Sequence, residues 1–113
     1  MKAIIMQDGR PLIERVHDYV SKLDAELGVE KAYLFGSSAK GTRRKNSDVD
    51  LIIVSKAFVG MPVPKREGIL ENRWDYREDL ETLAYTPEEF AKISQRLTMK
   101  EILSYAIELT HKF

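Results

Sequence analysis

The spacing of apolar residues predicts a helix near the start of the chain and two buried strands after it. Two short apolar runs, at 32–35 and 49–54, are bounded by turn residues and are predicted to be strands. The polar, basic segment 37–47 connects them, with one possible helical turn after Gly36. The helix is predicted from 11 to 27 because apolar residues recur there at three- and four-residue steps, at Leu12, Val16, Val20, Leu23 and Leu27.

The second half of the chain predicts a third strand and three more helices. Glycine and prolines mark a loop at 60–64, and a helix is expected from 65 to about 76, before a strand at 80–85. The capping boxes Thr86-Pro87-Glu88-Glu89 and Thr98-Met99-Lys100-Glu101 each predict a helix start, with the last helix continuing to the C-terminus. This order predicts an α/β (α+β) fold in which helices flank a small mixed sheet of three to four strands.

Composition narrows the class of protein. The 113 residues correspond to a single domain, 1–113. The absence of cysteine excludes disulfides, thiolate metal sites and Cys nucleophiles, and it fits a reducing cytoplasm. The 18 basic and 18 acidic residues balance, which argues against a sequence-specific nucleic-acid binder, and the apolar runs are too short to span a membrane. We therefore expect a cytoplasmic protein.

Two carboxylates stand at the start of the second predicted strand. Asp48 and Asp50 face the same side because residues i and i+2 of a strand do so. Such a pair needs a cation, and oxygen ligands without cysteine or a nearby histidine favour Mg²⁺ or Mn²⁺ over zinc. Gly36 and Ser37 follow the preceding strand, where backbone N–H groups and the Ser37 hydroxyl can hold a phosphate. Together these residues predict a site for a metal-bound nucleoside triphosphate.

A third carboxylate is expected at the same edge of the sheet. If the strand at 80–85 runs parallel to the strand at 49–54 through a crossover helix, both strands begin at that edge. Either Asp79 or Glu81 would then lie beside the aspartate pair, and alternation puts both on one face. The pattern leaves the choice between them open, since each could also be an ordinary exposed acid of an edge strand.

The combined motifs resemble the DNA polymerase β-like nucleotidyltransferase superfamily, and most closely the minimal nucleotidyltransferases of prokaryotic toxin–antitoxin pairs. The resemblance covers roughly residues 10 to 95 and rests on Gly36-Ser37, Ser47-Asp48-Val49-Asp50-Leu51 and the strand-to-helix junction at 83–90. It implies that superfamily's fold, a triphosphate bound by Gly36 and Ser37, and two Mg²⁺ ions held by Asp48 and Asp50.

The resemblance also assigns two further positions. The third acid, which helps to hold the metal at the attacking hydroxyl and promotes its deprotonation, falls on Glu81. Family members usually have Asp there, so this chain departs from the pattern. Lys40 stands where the family often carries a basic residue after Gly-Ser, and it is assigned to the phosphates. Three other cations of the loop are secondary candidates for the same role, namely Arg43, Arg44 and Lys45.

The resemblance implies transfer of a nucleoside monophosphate, AMP from ATP or another NTP, to a protein hydroxyl. In the family the acceptor is often a tyrosine of a HEPN-type helical toxin, which the modification neutralises, so the expected partner is such a protein. A catalytically silent module that binds nucleotide or masks the toxin is the alternative. Transfer to an RNA or small-molecule hydroxyl is a third hypothesis. The apolar stripe at 102–107 also leaves a homodimer open.

Overall fold

A four-stranded mixed sheet organises the part of the chain that the computed structural model describes, residues 9–44 and 47–109. The strands lie in the order β3-β2-β1-β4, so the predicted mixed sheet flanked by helices is confirmed. They are β1 (Lys31–Phe35), β2 (Val49–Val54), β3 (Leu80–Tyr85) and β4 (Ile107–Glu108). The helices are α1 (Leu12–Leu27), α2 (Ser37–Lys40), α3 (Val63–Asn72), α4 (Pro87–Ile93) and α5 (Leu97–Tyr105), and a short 3₁₀ turn spans Lys56–Phe58.

Each face of the sheet is covered by a pair of helices. Alternate residues of β2 point to opposite faces, and all but Asp50 are buried. Helices α1 and α3 cover the face of Val49, Leu51 and Ile53, whereas α4 and α5 cover the face of Ile52 and Val54. Burial of β2 on both faces explains its continuous apolar run. No helix within 9–44 and 47–109 is long and apolar enough to cross a membrane.

The first helix and the turn after β1 form where the sequence predicts them. Helix α1 begins after Pro11 and ends at Gly28, which adopts a φ of 73° that favours glycine. The predicted helical turn after Gly36 is also present, as α2, and Gly41 closes it in the left-handed region. These two elements bring the chain into β1 and out of it.

The predicted helix at 65–76 is wrong at both ends. Helix α3 begins at Val63, after the N-cap residue Pro62, and its first turn contains Pro64, a residue that a first helical turn accommodates. It stops at Asn72, and Trp74 lies beyond the helix with its side chain 1% exposed. The indole N–H of Trp74 donates to the Glu78 carbonyl at 2.7 Å, which fixes the turn that leads into β3.

The prediction for the last helix is wrong in two respects. The Thr98 capping box is not used: α5 begins at Leu97, and its N-cap residue Arg96 makes no side-chain capping bond. The helix also ends at Tyr105 rather than at the C-terminus, and residues 110–113 lie outside the described part. Beyond Tyr105, β4 pairs with β1, and the Leu109 N–H donates to the Ala32 carbonyl at 2.9 Å. Pairing satisfies the exposed backbone groups of β1, which a continued helix would leave open.

A buried arginine connects α3 to α4. Arg66 is 5% exposed, and its guanidinium donates to Glu89 at 2.6 and 3.2 Å and to the Ala84 carbonyl at 3.1 Å. Glu89 also completes the predicted capping box with Thr86. The hydrogen bonds from Arg66 and from the Thr86 backbone lower the pKa of Glu89 to about 2. The ionised carboxylate therefore stabilises the folded state.

We predict that Glu89→Gln lowers the free energy of unfolding at pH 7 by about 1–2 kcal/mol, because it leaves a buried guanidinium without its charged partner. The native pKa of Glu89 is depressed, so wild type keeps this contribution above about pH 4.5 and loses it as the pH falls towards 2. Denaturant unfolding across this range should therefore show a shallower acid dependence for the variant. The control Glu88→Gln, at a residue paired only with exposed Lys92, should behave as wild type; equal curves for both variants would contradict the assignment.

Candidate functional site

Strands β1 and β2 bring the predicted phosphate turn against the predicted carboxylates. Their antiparallel register pairs Phe35 with Asp50, so Gly36, the next residue, lies beside the start of β2. Gly36 has a φ of 71°, and a Cβ built on it would overlap Asp50 Oδ2 and lie 3.0 Å from Asp50 Cγ. Only glycine allows the carboxylate this close to the turn. Ser37 then begins α2, so both predicted features lie at one edge of the sheet.

Asp48, Asp50 and Glu81 form a group of interacting negative charges. The parallel register of β2 and β3 pairs Asp50 with Glu81, as a neighbouring third strand requires. Burial is the main cause that raises the pKa of Asp50 to about 6, and the charges of Glu81 and then Asp48 raise it further. The carboxylates of Glu81 and Asp48 are therefore close enough to oppose the ionisation of Asp50.

The structure shows which of Asp79 and Glu81 lies beside the aspartate pair, a choice that the sequence leaves open. The backbone carbonyl of Asp79 accepts a hydrogen bond from the Val49 N–H at 2.8 Å, which starts the β2–β3 ladder. The Asp79 side chain is exposed, and its charge is not among the causes that shift the pKa of Asp50. Glu81 is both the register partner of Asp50 and a source of that shift. The geometry therefore brings Glu81, rather than Asp79, to the aspartate pair.

The donor set of this acidic group fits a hard divalent cation. All its donors are carboxylate oxygens, the type that Mg²⁺ and Mn²⁺ prefer. A cation among them would favour the charged form of Asp50, which burial and then the neighbouring charges of Glu81 and Asp48 disfavour. Within the described ranges, no three or more His, Cys, Asp or Glu side chains are arranged as a formed metal site. The chain thus supplies carboxylates suited to such a cation, but in the described residues they are not yet arranged in a coordination geometry.

Tyr105, at the end of α5, contacts two of the predicted phosphate residues. Its hydroxyl accepts a hydrogen bond from the Gly36 N–H at 3.3 Å. The Lys40 ammonium lies 4.6 Å from the centre of the Tyr105 ring, within range of a cation–π interaction. Sequence reasoning missed Tyr105 because it placed this residue within a helix that continues to the C-terminus. Only the end of α5 and the pairing of β4 with β1 bring it to the site.

Arg43 is held by the protein and is not a free loop cation. Its guanidinium lies 3.5 Å from Glu78 and donates to the Ser47 carbonyl at 3.3 Å. The same glutamate receives two hydrogen bonds from Arg15 of α1, at 2.9 and 2.8 Å, which are the main cause that lowers its pKa. Arg43 therefore fixes the basic loop next to the start of β3. Arg44 is exposed, and Lys45 lies outside the described residues.

Comparison with known families decides what kind of domain this is. The model of the nucleotidyltransferase domain matches residues 13–109, which includes the whole sheet and the edge described above. The chain belongs to the nucleotidyltransferase domain family. The match confirms the family resemblance, and it includes Tyr105 and β4 within the nucleotidyltransferase domain.

The fold of this domain is similar to that of a solved structure. A candidate nucleotidyltransferase from Sulfolobus solfataricus is similar, with a TM-score of 0.58 and 22% identity over 72% of each chain. A toxin–antitoxin structure with AMP-PNP has a TM-score of 0.46 and 18% identity, over 82% of this chain and 71% of the other. That second likeness is too low to support a conclusion about fold or partner. A search of curated proteins found no match.

We predict that Gly36→Ala is more destabilising than Gly41→Ala, which changes the other end of α2. Both glycines have positive φ, so each substitution strains the backbone, at a cost of about 1–2 kcal/mol for Gly41→Ala. Only at Gly36 would the new methyl group also overlap Asp50, whereas nothing lies within 4 Å of a Cβ at Gly41. Denaturant unfolding should show the larger loss for Gly36→Ala and partial recovery in an Asp50→Ala background. Equal losses would contradict the close approach.

We predict that Asp50→Asn stabilises this nucleotidyltransferase domain in the presence of a chelator at pH 7, by about 1–2 kcal/mol after allowance for solvent screening. The native pKa of Asp50 is raised from 3.8 to about 6, so wild type loses stability relative to the variant as the pH rises between those values. Thermal unfolding from pH 4 to pH 7 measures this difference. The control Asp79→Asn, at the exposed neighbouring acid, should track wild type; a destabilised Asp50→Asn would show that the carboxylate is not under repulsion.

Proposed function

We propose that this chain is a Mg²⁺-dependent nucleotidyltransferase that transfers AMP from ATP to a hydroxyl of a partner protein. The observation that carries this proposal is the position of Asp50, which lies against the Gly36 turn on one side and beside Glu81 on the other. A phosphate-binding turn and a carboxylate group in such contact suit a substrate that carries phosphates and a metal together.

Each side chain of the edge has a role in this proposal. The Gly36 N–H and the Ser37 hydroxyl bind the β- and γ-phosphates, and the exposed ammonium of Lys40 neutralises their charge. Asp48, Asp50 and Glu81 would hold two Mg²⁺ ions, which supply charge stabilisation for the attacking and leaving oxygens when bound. The acceptor hydroxyl would approach Asp50 from the side of Glu81, because Gly36 and Ser37 occupy the opposite side of Asp50.

The proposed reaction is an in-line displacement at the α-phosphate. The acceptor oxygen forms a new bond to the α-phosphorus, and the bond from that phosphorus to the bridging oxygen of pyrophosphate breaks. Glu81 takes the proton of the acceptor hydroxyl, and pyrophosphate leaves with the electron pair of the broken bond. The α-phosphate thereby becomes a phosphodiester that links the acceptor oxygen to adenosine. Positioning and charge neutralisation account for most of the rate enhancement in such transfers.

The proposed acceptor is a tyrosine of a HEPN-type helical partner, which the modification would neutralise as a toxin. Support for this acceptor is the resemblance of the motifs at 36–37 and 47–51 to the minimal nucleotidyltransferases of toxin–antitoxin pairs. Such a partner would have to present its hydroxyl at the edge of the sheet where Glu81 is exposed.

A second candidate function is favoured by one specific observation. Glu81 replaces the usual Asp of the family, and Mg²⁺ requires near-ideal octahedral geometry that a longer side chain changes. This departure fits a protein that binds nucleotide, or masks the partner's surface, without transferring AMP.

Transfer of label from α-labelled ATP to the copurified partner separates the two functions. We expect label on the partner with wild type and Mg²⁺, and a loss of at least a hundredfold with Asp48→Ala or Asp50→Ala, because the proposed metal ligands are removed. γ-Labelled ATP serves as the control and should leave the partner unlabelled. If wild type and the two variants are equally silent while all three still bind the partner, the enzymatic function is wrong and the masking function is favoured.

The variant Glu81→Asp tests the position that departs from the family. We expect transfer equal to or greater than that of wild type, because Asp is the usual residue of the family there. Asp79→Asn is the matched control at the neighbouring acid and should retain transfer. A collapse of transfer in Glu81→Asp would show that the site is built around the longer acid.

A further inference from the structure

We propose that Tyr105 is a positioning residue for the triphosphate. Its ring holds the Lys40 ammonium at the phosphate turn, and its hydroxyl occupies the Gly36 N–H until a phosphate oxygen replaces it. This inference rests on the proposed function and deepens it, because it adds to the nucleotide site a residue from the opposite end of the chain.

The contacts of Tyr105 converge on the turn from a separate element. Tyr105 is the last residue of α5, and α5 is fixed by the core through Met99, Ile102 and Leu103. The helix therefore delivers the phenol to Gly36 from a packed support and not from a flexible loop. Beyond the helix, the pairing of Ile107 with Leu34 prevents the chain from moving away from β1.

The hydroxyl of Tyr105 and a phosphate compete for one donor. The Gly36 N–H already donates to the Tyr105 oxygen at 3.3 Å, and a single N–H makes one good hydrogen bond. A phosphate oxygen is the stronger acceptor because it carries charge. Binding of the triphosphate to this N–H must therefore displace the tyrosine hydroxyl. The loss of that hydrogen bond lowers the net affinity for the triphosphate.

The ring of Tyr105 acts through Lys40. An exposed lysine has many side-chain conformations, and most of them point its charge away from the turn. The ring lies 4.6 Å from the ammonium and favours the conformations that keep it near Gly36. Among the described residues, no ion pair is recorded for Lys40 that would hold it elsewhere. Removal of the ring should thus weaken triphosphate binding only when Lys40 is present.

Calorimetric titration of the full chain with ATP and Mg²⁺ tests the competition by the Tyr105 hydroxyl and the effect of its ring on Lys40. The variants are Tyr105→Phe, Tyr105→Leu, Lys40→Met and the double variants Lys40→Met/Tyr105→Phe and Lys40→Met/Tyr105→Leu. We expect Tyr105→Phe to bind about two- to fivefold more tightly than wild type, because it keeps the ring and removes the competing hydroxyl. Tyr105→Leu lacks the hydroxyl too, so the ring is measured against Tyr105→Phe: Tyr105→Leu should bind about two- to fivefold more weakly than Tyr105→Phe, and the two should bind equally when Lys40→Met is also present. Thermal unfolding of each variant checks that it is folded.

Each remaining outcome contradicts a named statement. Weaker binding by Tyr105→Phe would show that the hydroxyl does not compete with the phosphate. An equal difference between Tyr105→Leu and Tyr105→Phe with and without Lys40 would show that the ring does not act through the lysine, and wild-type affinity in both Tyr105 variants would overturn the whole inference. If wild type itself binds no ATP, the proposed function fails and this inference with it. Because Tyr105→Phe preserves the packing of the ring, the test does not depend on whether Tyr105→Leu folds.

Discussion

The close approach of the Asp50 carboxylate to Gly36 is the constraint on which the site depends. It requires antiparallel pairing of β1 with β2 in the register that sets Phe35 opposite Asp50, and it requires a residue without a Cβ immediately after β1. The same residue must adopt a positive φ for the chain to leave the strand and enter α2. One glycine therefore both turns the backbone and makes room for a carboxylate, so the Gly36 turn, the proposed phosphate site, and the Asp50 carboxylate depend on each other.

Ion pairs outside the acidic group connect the helices and loops that surround the sheet. Glu78 lies two residues before β3, and its carboxylate accepts hydrogen bonds from the two terminal guanidinium nitrogens of Arg15. The guanidinium of Arg43 lies near the same carboxylate, so α1, the basic loop and the start of β3 meet there. Arg66 and Glu89 make a similar connection between α3 and α4. Asp50 differs from these pairs, because burial and then the like charges of Glu81 and Asp48 raise its pKa. Within the described part of the chain, the structural carboxylates are thus paired with cations whereas no ion pair involves the three candidate metal ligands, as expected of groups that await a cation.

Local sequence patterns predicted the elements whose formation depends on the spacing of apolar residues along the chain. The three- and four-residue spacing from Leu12 to Leu27 specified α1, and the apolar run at 49–54 specified β2. The parallel β3 followed from the crossover rule, and its register then distinguished Glu81 from Asp79. The end of α5 could not be predicted in this way, because helix propensity continues past Tyr105 and only the unpaired edge of β1 makes a strand more favourable there. Tyr105 was missed for the same reason, since its role depends on a contact across 69 positions of the chain.

The central claim is that one edge of the sheet binds the metal and the triphosphate together. Crystals grown with Mn²⁺ and a non-hydrolysable ATP analogue test it most directly, because anomalous scattering locates manganese independently of any assumption about the ligands. The account predicts manganese bound by Asp48, Asp50 and Glu81, with the triphosphate on the Gly36 N–H and the Tyr105 hydroxyl displaced from it. Manganese or triphosphate bound at any other part of the molecule, with Tyr105 still on Gly36, would contradict the account.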